Sequence, residues 1–232
     1  ITYKLNAKKF MENFTINLSQ STGLRHPDLY VLHGANSSGS FKSMKTTKPE
    51  TSLTRELSVN YDFSKKISFN TTAYKGSVSD VLNRGTSTNG YNEQIDIKQE
   101  GLENSFTLNL DNQKLKLYSA FSKSREGNGR PQLRRPEKQF GINFLNEFEH
   151  SYLGALKIKY DYRHISQVED WKNGNIRAKV DSSDIMNLSL SKKINMADWS
   201  INIFNLTDEV YQRPDTYNQE RRRISLGFRK SY

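Results

Sequence analysis

The sequence predicts an all-β protein whose antiparallel strands run up and down in a membrane-spanning barrel. Three observations predict this fold. Apolar and polar residues alternate in many short runs, and no stretch shows convincing helical periodicity. The connections between successive runs alternate between long polar segments and tight turns. An up-and-down sheet places every second connection at the same end, so one rim should carry long loops and the other short turns.

The composition agrees with strands that are apolar on one face only. Hydrophobic residues make up 34% of the 232 residues, aromatic residues 11%, and the mean hydropathy is -0.81. A barrel with a wet interior needs apolar side chains only on its outer face. No run approaches the roughly 18 apolar residues of a membrane-spanning helix, but a spanning strand needs only about ten residues of alternating character. Cysteine is absent, which excludes disulfides and thiolate metal sites.

The net charge of +10 raises the question of nucleic-acid binding. The basic residues are scattered through turns and loops, and the sequence contains no RNP, zinc-finger or helix-turn-helix pattern. We therefore predict no nucleic-acid partner and interpret the charges as solvated or facing the barrel interior. A soluble basic β-protein that binds polyanions is the alternative that the charge leaves open.

The first half of the chain predicts five strands. The first covers about residues 13–22 and is followed by a long polar segment. Residues 53–63 and 67–73 form a hairpin around a tight turn. The fourth strand runs from residue 93 to residue 110, and its apolar parity changes near Gly101, which predicts a β-bulge there. The fifth strand, around residues 115–121, follows another tight turn.

The second half predicts five more strands, so the total is about ten. They lie around residues 140–148, 156–162, 186–190, 199–203 and 224–232, and the last one continues to the end of the sequence. The polar segment 166–182 is predicted to be a loop. Aromatic residues recur at strand ends, where they would form the girdles of a membrane barrel, although aromatic side chains are also common in ordinary strands. These residues are Phe14, Phe63, Phe148, Tyr162 and Trp199.

The final stretch carries a more specific pattern. It contains Asn205, Leu206, Asp208 and Tyr211 in one run, then Arg222, Gly227, Phe228 and the terminal Tyr232. This pattern resembles the carboxyl-terminal signature of TonB-dependent outer-membrane receptors, with Thr207 in place of the usual Phe. Segments 21–30, 48–50, 100–103 and 133–136 are similar to further motifs of the same family and occur in the family's order.

The resemblance implies a barrel of about 22 strands that surrounds an amino-terminal plug domain. Residues 1–232 would then be the carboxyl-terminal portion of that barrel, without the plug. The family takes up scarce metal chelates across the bacterial outer membrane, and the segment 133–136 slightly favours vitamin B12 over a ferric siderophore. The implied partners are outer-membrane lipid and lipopolysaccharide, a TonB-type energy transducer acting through the plug, the outer-membrane assembly machinery and the metal-chelate ligand.

No arrangement of residues indicates catalysis. The four histidines lack the spacing of metal ligands, so we predict neither an enzyme nor a cofactor or metal site. Loop aromatics and arginines on the long-loop rim are the candidate ligand contacts, because such side chains hold bulky amphipathic or anionic ligands. These are Tyr30, Tyr91, Arg134 and Tyr217. Arg134 could instead brace the structure, and for Arg222 bracing against carboxylates is the favoured role. A passive porin or an assembly barrel is the alternative function.

Overall fold

The structure, a computed structural model, describes residues 2–27, 32, 47–83, 93–172, 176–194 and 197–230. It is organised around one antiparallel sheet in which eleven strands lie side by side in chain order, and a separate two-stranded hairpin completes the described strands. The sheet comprises β1 (Lys4–Phe10), β2 (Phe14–Arg25), β3 (Glu50–Ser64), β4 (Ile67–Asn83), β5 (Glu93–Asn109), β6 (Gln113–Glu126), β7 (Lys138–His150), β8 (Gly154–Ile165), β11 (Ser183–Ile194), β12 (Ala197–Phe204) and β13 (Arg223–Lys230). The hairpin is β9 (Val168–Lys172) with β10 (Ile176–Val180). In the described ranges, no helix is long and apolar enough to cross a membrane.

The predicted alternation of connection lengths is confirmed. Short connections join the strands at one edge of the sheet, which we call the short-turn rim; they are residues 11–13, 65–66, 110–112, 151–153 and 195–196. Long connections lie at the opposite edge, which we call the long-loop rim; they are residues 26–49, 84–92, 127–137, 166–182 and 205–222. The antiparallel up-and-down fold class is thus the one that the sequence predicts.

The sheet has one apolar and one polar face, because directly paired residues share a face and neighbouring residues alternate. One row on the apolar face crosses five strands as Leu18, Leu57, Ala73, Leu102 and Phe121. Four of these five side chains are large, apolar and exposed, from 41% for Leu102 to 53% for Leu18. An apolar row that stays exposed needs a cover other than this sheet.

The polar face carries hydrogen-bonded ladders between neighbouring strands. Asn143 on β7 donates to Asp161 on β8, which also accepts a bond from Asn187 on β11. Farther along the sheet, Ser189 donates to the Asn202 side chain at 2.7 Å. Such contacts satisfy polar groups on a face that is wet or faces another polar surface.

The strand count differs from the prediction at two places. β1 was not predicted, because its alternating pattern is too short: Leu5 and Ala7 are apolar, but Lys9 occupies the next position on the same face. It pairs with β2 along its whole length. The predicted loop 166–182 contains the β9–β10 hairpin, whose two strands are only five residues each and therefore too short for a clear alternating pattern.

The prediction of a β-bulge at Gly101 is wrong. Pairing on both sides of β5 is continuous through Gly101, and the register shift lies instead on β4, between Val78 and Val81. Asp80, within that shift, has a positive φ of 60°. The parity change on β5 has another cause: Ile97 lies on the polar face, where it is 5% exposed near the long-loop rim.

Aromatic rings meet at the short-turn rim, at the ends of strands whose aromatic residues were predicted to form girdles. Tyr61 packs edge to face against Phe63 with ring centroids 4.4 Å apart, and Trp199 lies 4.7 Å from Phe228 on the paired strand. On the polar face, two tyrosines lie across neighbouring glycines. A Cβ atom at Gly101 would stand 2.5 Å from the ring of Tyr74, and Gly141 relates to Tyr118 in the same way. The rings can lie there only because these two positions have no side chain.

The buried residues concentrate at the long-loop rim. The described residues that are less than a tenth exposed include the apolar Ile97, Val168, Val180 and Ile185 and the polar Ser124, Glu126, Asp170, Ser183 and Asn205. Leu156, near the short-turn rim, is the exception in this group. The small core of this chain is therefore formed by its loops and the strand ends beneath them.

Candidate functional site

Three segments of the long-loop rim meet over the polar face of the sheet. We call them together the loop cluster: residues 127–137, the β9–β10 hairpin (168–180) and residues 205–222. The backbone N–H of Arg134 donates to the Glu169 carbonyl at 2.8 Å, which joins the first segment to the second. The Asp215 N–H donates to the Asp170 carboxylate at 2.8 Å, which joins the second to the third.

Asp170 is the central acceptor of the loop cluster. Its side chain is fully buried, and one carboxylate oxygen accepts bonds from the Arg134 Nε–H at 2.7 Å and from the Trp171 N–H at 2.8 Å. The other oxygen accepts the bond from Asp215. A buried carboxylate is tolerated when its oxygens are satisfied by a cation and by N–H groups, and Asp170 has both.

Arg177 makes a second set of ionic contacts under the hairpin. Its guanidinium pairs with Glu126 at the end of β6 and with Glu169 at 3.2 Å, and it donates to the Pro131 carbonyl at 2.7 Å. The side chains of Arg177 and Glu126 are only 17% and 8% exposed. The guanidinium also lies 5.4 Å from the centre of the Trp171 ring, which adds a cation–π contact.

Arg213 fixes the third segment to the ends of the strands. Its guanidinium donates to the carbonyls of Ile165, Ser166 and Asp181 at 3.2 to 3.3 Å, and it reaches the Ser183 hydroxyl at 3.4 Å. Burial lowers the pKa of Arg213 from its usual value. Among the residues that the structure describes, carbonyl dipoles and a hydroxyl face this positive charge, and no carboxylate forms an ion pair with it.

Asn205 shapes the turn at the end of β12. It is 4% exposed and has a φ of 51°, a left-handed conformation that asparagine tolerates better than most residues. Its amide donates to the Glu209 and Glu220 carbonyls and accepts a bond from the Glu209 N–H at 2.8 Å. An asparagine is suited to this position because one side chain supplies both donors and an acceptor.

Asp208 closes the same segment through an arginine fork. Both carboxylate oxygens accept bonds from Arg221, at 2.8 and 2.5 Å, and one also accepts the Arg222 N–H at 2.9 Å. The Arg221 side chain and then the Arg222 N–H hold the pKa of the Asp208 carboxyl well below its usual range. The same contact raises the pKa of Arg221.

The predicted ligand residues fall into two groups. Arg134 and Tyr217 lie in the loop cluster: Arg134 holds Asp170 while its side chain stays 59% exposed, and Tyr217 is 65% exposed two residues after Asp215. Tyr30 and Tyr91 lie outside the described residues. Of the two roles left open for Arg134, the structure displays the bracing contact, and the exposed part of the guanidinium faces outward from it.

The signature residues occupy the end of the sheet and its last connection. The Leu206 N–H donates to the Met186 carbonyl on β11, and the Tyr211 carbonyl accepts the Gln219 N–H at 3.0 Å. Gly227 lies against the Ser200 side chain, and Phe228 contacts Trp199. Tyr232 lies outside the described residues. The side-chain bracing expected of Arg222 is made by its neighbours, with Arg221 on Asp208 and Arg223 on Glu220 at 2.9 Å.

Sequence reasoning missed Asp170, Arg177 and Arg213, which hold the loop cluster together. One signal could have found the hairpin: the dipeptide Asn173-Gly174, typical of tight β-turns, stands between two short runs that contain Val168 and Val180. The ionic partners could not be predicted, because they come from segments up to 51 residues apart in the chain.

Buried ion pairs and hydrogen bonds hold the loop cluster in place, while several of its side chains stay exposed. Its exposed side chains include Tyr217 at 65%, Val210 at 68% and Ile176 at 64%, and the side chain of Arg134 is 59% exposed. In the part of the chain that the structure describes, no group of three or more histidine, aspartate or glutamate side chains is placed to hold a metal ion. The exposed atoms suit a ligand with apolar surface and negative charge, since aromatic faces and guanidinium groups recognise these features.

The sheet runs up and down, is apolar on one face and polar on the other, and carries long loops at one rim. This is the architecture of the wall of a membrane β-barrel. Residues 1–206 match the family model described as "TonB dependent receptor-like, beta-barrel". The chain belongs to this family. A search of the curated proteins found no match.

Solved structures with the same fold include two receptors and one transporter of low sequence identity. The ferripyoverdine receptor of the outer membrane of Pseudomonas aeruginosa superposes with a TM-score of 0.77 at 13% identity, over 99% of this chain and 32% of that one. The ferric-catecholate import receptor Fiu from E. coli K12 gives 0.75 at 16% identity, over 98% and 34%. The copper transporter OprC gives 0.77 at 15% identity, over 98% and 39%. The chain thus spans about a third to two fifths of the structures that it matches.

Proposed function

We propose that the chain is the carboxyl-terminal part of the barrel wall of an outer-membrane receptor that takes up a metal chelate. The observation that carries the proposal is the family match over residues 1–206. The two faces of the sheet support it. The exposed apolar rows would contact lipid, the polar ladders would face the interior, and further strands and a plug from the rest of the receptor would complete the barrel.

The ligand is proposed to be a ferric siderophore or a related metal chelate. Two of the three structural relatives are named for ferric chelates and one for copper, whereas none of these three is named for vitamin B12. Vitamin B12 therefore stays a prediction from sequence alone. The exposed Tyr217 ring and the Arg134 guanidinium would contribute to capture at the long-loop rim, together with Tyr30 and Tyr91.

Uptake is proposed to depend on an energy transducer of the TonB type, which would act through the plug. Pull-down of the full-length receptor with the transducer should increase when the ligand is bound. To identify the ligand, a panel of ferric siderophores, a copper chelate and vitamin B12 is titrated into the receptor. Binding is followed by the change in tryptophan fluorescence. Equal transducer capture with and without every member of the panel would contradict active transport.

The alternative within the membrane is a passive porin or an assembly barrel. A passive porin would conduct ions across a planar bilayer without any transducer, and uptake would not respond to loss of the membrane potential. A soluble polyanion-binding protein would instead remain in the aqueous phase without detergent, which would exclude both membrane functions. The family match over residues 1–206 favours the receptor.

A further inference from the structure

Two of the residues proposed to contact the ligand, Arg134 and Tyr217, come from different long connections. Arg134 belongs to residues 127–137 and Tyr217 to residues 205–222. Both are more than half exposed, at 59% and 65%. A ligand that touches both gains from a fixed separation between them, because a site that is ordered before binding loses less conformational entropy on binding.

The fully buried carboxylate of Asp170 lies between these two connections. Its Oδ1 accepts the Nε–H of Arg134 at 2.7 Å, and its Oδ2 accepts the N–H of Asp215 at 2.8 Å. Asp215 stands two residues before Tyr217 in one turn, where the Tyr217 N–H donates to the Pro214 carbonyl at 3.1 Å. A single side chain therefore links the guanidinium on one connection to the turn that carries the aromatic ring on the other.

Only a carboxylate can make both links. The groups bonded to the Asp170 side chain are all N–H donors, since Oδ1 also accepts the Trp171 N–H at 2.8 Å. An asparagine amide has one acceptor oxygen, and its NH2 group would meet an N–H donor on one side or the other. Asp170→Asn should thus break one of the two links in either orientation of the amide.

Arg134 keeps donors for a ligand while it is bound to Asp170. Among the hydrogen bonds of the described residues, its side chain uses only the Nε–H, and a guanidinium carries five N–H donors. The Arg134 backbone is held as well, because its N–H donates to the Glu169 carbonyl at 2.8 Å and its φ is 61°. The contact with Asp170 therefore directs the guanidinium and leaves it able to bind an anionic group.

A second buried carboxylate of the loop cluster offers a comparison. Glu126 is 8% exposed at the end of β6, and its side chain pairs with Arg177, which is 17% exposed. In the part of the chain that the structure describes, the Glu126 carboxylate bonds to neither Arg134 nor the turn at Asp215. Glu126 thus holds the hairpin, whereas Asp170 also holds both proposed contacts.

We infer that Asp170 is a positioning residue for ligand capture. It fixes the distance between the Arg134 guanidinium and the Tyr217 ring, so that the two side chains act as one unit. The inference rests on the proposed function, because it takes Arg134 and Tyr217 as ligand contacts. Its consequence is coupling: without the Asp170 carboxylate, each of the two contacts should lose most of its contribution to binding.

The spacing is tested first in the full-length receptor without a ligand. This chain contains no cysteine, so Arg135→Cys and Thr216→Cys can carry spin labels at exposed positions beside the two contacts. Serine first replaces any cysteine elsewhere in the receptor. Double electron–electron resonance should give a narrow distance distribution with Asp170 intact and a clearly wider one with Asp170→Asn. The matched control, Glu126→Gln, should keep the distribution narrow. An unchanged width in Asp170→Asn, or equal broadening in the control, would overturn the inference.

Binding is then tested with four probes: a ferric tris-catecholate, a ferric tris-hydroxamate, a copper chelate and vitamin B12. The probe that binds the wild-type receptor most tightly is used for the variants. Asp170→Asn should weaken its binding about tenfold, since ordering two side chains on binding carries a cost of that size. With Asp170 intact, Arg134→Gln and Tyr217→Ala should each weaken binding severalfold. In the Asp170→Asn receptor, neither should change binding by more than about twofold. In the Glu126→Gln receptor, both should keep their separate effects.

The outcomes separate this inference from the proposed function. If Arg134→Gln and Tyr217→Ala keep their full effects in the Asp170→Asn receptor, the inference is overturned while the proposed function stands, because the probe still binds. If no probe binds the wild-type receptor, the proposed function is overturned, and the role of Asp170 in capture is overturned with it.

A second variant keeps the inference testable if Asp170→Asn does not fold. Arg134→Gln breaks the same link from its exposed side, so it should broaden the distance distribution. The double variant Arg134→Gln/Tyr217→Ala should also lose less affinity than the product of the two single losses. A narrow distribution together with multiplicative losses would overturn the inference.

Discussion

The wall of strands and the loop cluster obtain their order in different ways. Along the wall, backbone ladders join eleven strands, and many large apolar side chains stay exposed, such as Leu226 at 81% and Leu18 at 53%. In the loop cluster and at the strand end beneath it, the fully buried side chains are polar: Asp170 in the hairpin and Ser183 at the start of β11. One chain thus combines a wall that requires an apolar environment with a rim that resembles the interior of a soluble domain.

The difference teaches where sensitivity to substitution should lie. In the proposed membrane placement, a wall side chain on the apolar face matters for its compatibility with lipid, whereas a side chain in the loop cluster matters for its particular partners. Removal of a charge should therefore destabilise the loop cluster, whereas introduction of a charge should destabilise the apolar face of the wall. The predictions that follow use this contrast.

The largest effect is expected from Arg177→Met in the loop cluster. The change removes the partner of Glu126, which is 8% exposed, and leaves a buried carboxylate without a cation. Breaking a buried pair from one side typically costs about 3–5 kcal/mol. Hydrogen exchange of the β9–β10 hairpin should rise accordingly. The control is Lys66→Met, which breaks an exposed pair with Asp111 at the short-turn rim and should change stability by less than about 1 kcal/mol. Equal effects of the two changes would refute the contrast.

The next effect is expected from a charge placed on the apolar face. Phe106→Lys puts an ammonium on the apolar face, between Phe69 and Leu117 on the neighbouring strands. With that face in lipid, as proposed, the change should lower the free energy of unfolding by about 2–4 kcal/mol. Ser105→Lys, one residue away on the polar face, should be nearly neutral. Chemical unfolding in lipid vesicles measures both. A larger loss for Ser105→Lys would mean that the two faces have been assigned the wrong way round.

A smaller effect is expected at the turn that ends β12. Asn205→Ala removes three side-chain hydrogen bonds and also strains a left-handed backbone, whereas Asn205→Gly removes the bonds without the strain. Alanine should therefore be the more destabilising change, by about 1 kcal/mol. Thermal unfolding of the full-length receptor measures the difference. If glycine proves as destabilising as alanine, the φ of Asn205 does not contribute.

The smallest effect is a dependence on pH in the last connection. The folded-state pKa of Asp208 is depressed, so its contribution is present above the unfolded value of about 3.9 and is lost as the pH falls through the folded value. Exchange protection of residues 218–226, corrected for intrinsic rates, should be constant above about pH 4 and should fall below it. Asp208→Asn should abolish this dependence, whereas Asp111→Asn should preserve it. Persistence of the full dependence in Asp208→Asn would contradict the assignment.

The wall was largely predictable from sequence, because its side chains face either an apolar or a polar environment and so alternate with a period of two. The pairing of β12 with β13 and the alternation of connection lengths follow from that pattern. Prediction failed where an environment changed along one strand. In the sequence, Ile97 indicates a change of parity, but its side chain lies on the polar face near the long-loop rim. Its paired residue there is Glu126, which binds Arg177 of the hairpin.

The loop cluster was predictable only in outline. Sequence placed Arg134 and Tyr217 on the same rim, but it left Asp170 among the solvated charges of a polar segment. A carboxylate in such a segment is usually exposed, and only the folded chain brings Arg134 and the Asp215 N–H to it. The contacts of the loop cluster join segments that are distant in sequence, so no local pattern specifies them.

The tyrosines that lie across Gly101 and Gly141 affect the width of the space beside the polar face. Because these rings lie flat along the wall, they add less to its thickness than rings that project from it. A Cβ at Gly101 would stand 2.5 Å from the Tyr74 ring, and one at Gly141 would lie as close to the Tyr118 ring, so the ring would have to move aside, for instance away from the sheet. If the polar face encloses a plug and a path for ligand, these two glycines act as spacers that keep the bore wide at two heights, and an alanine at either would narrow it by part of the width of an aromatic ring.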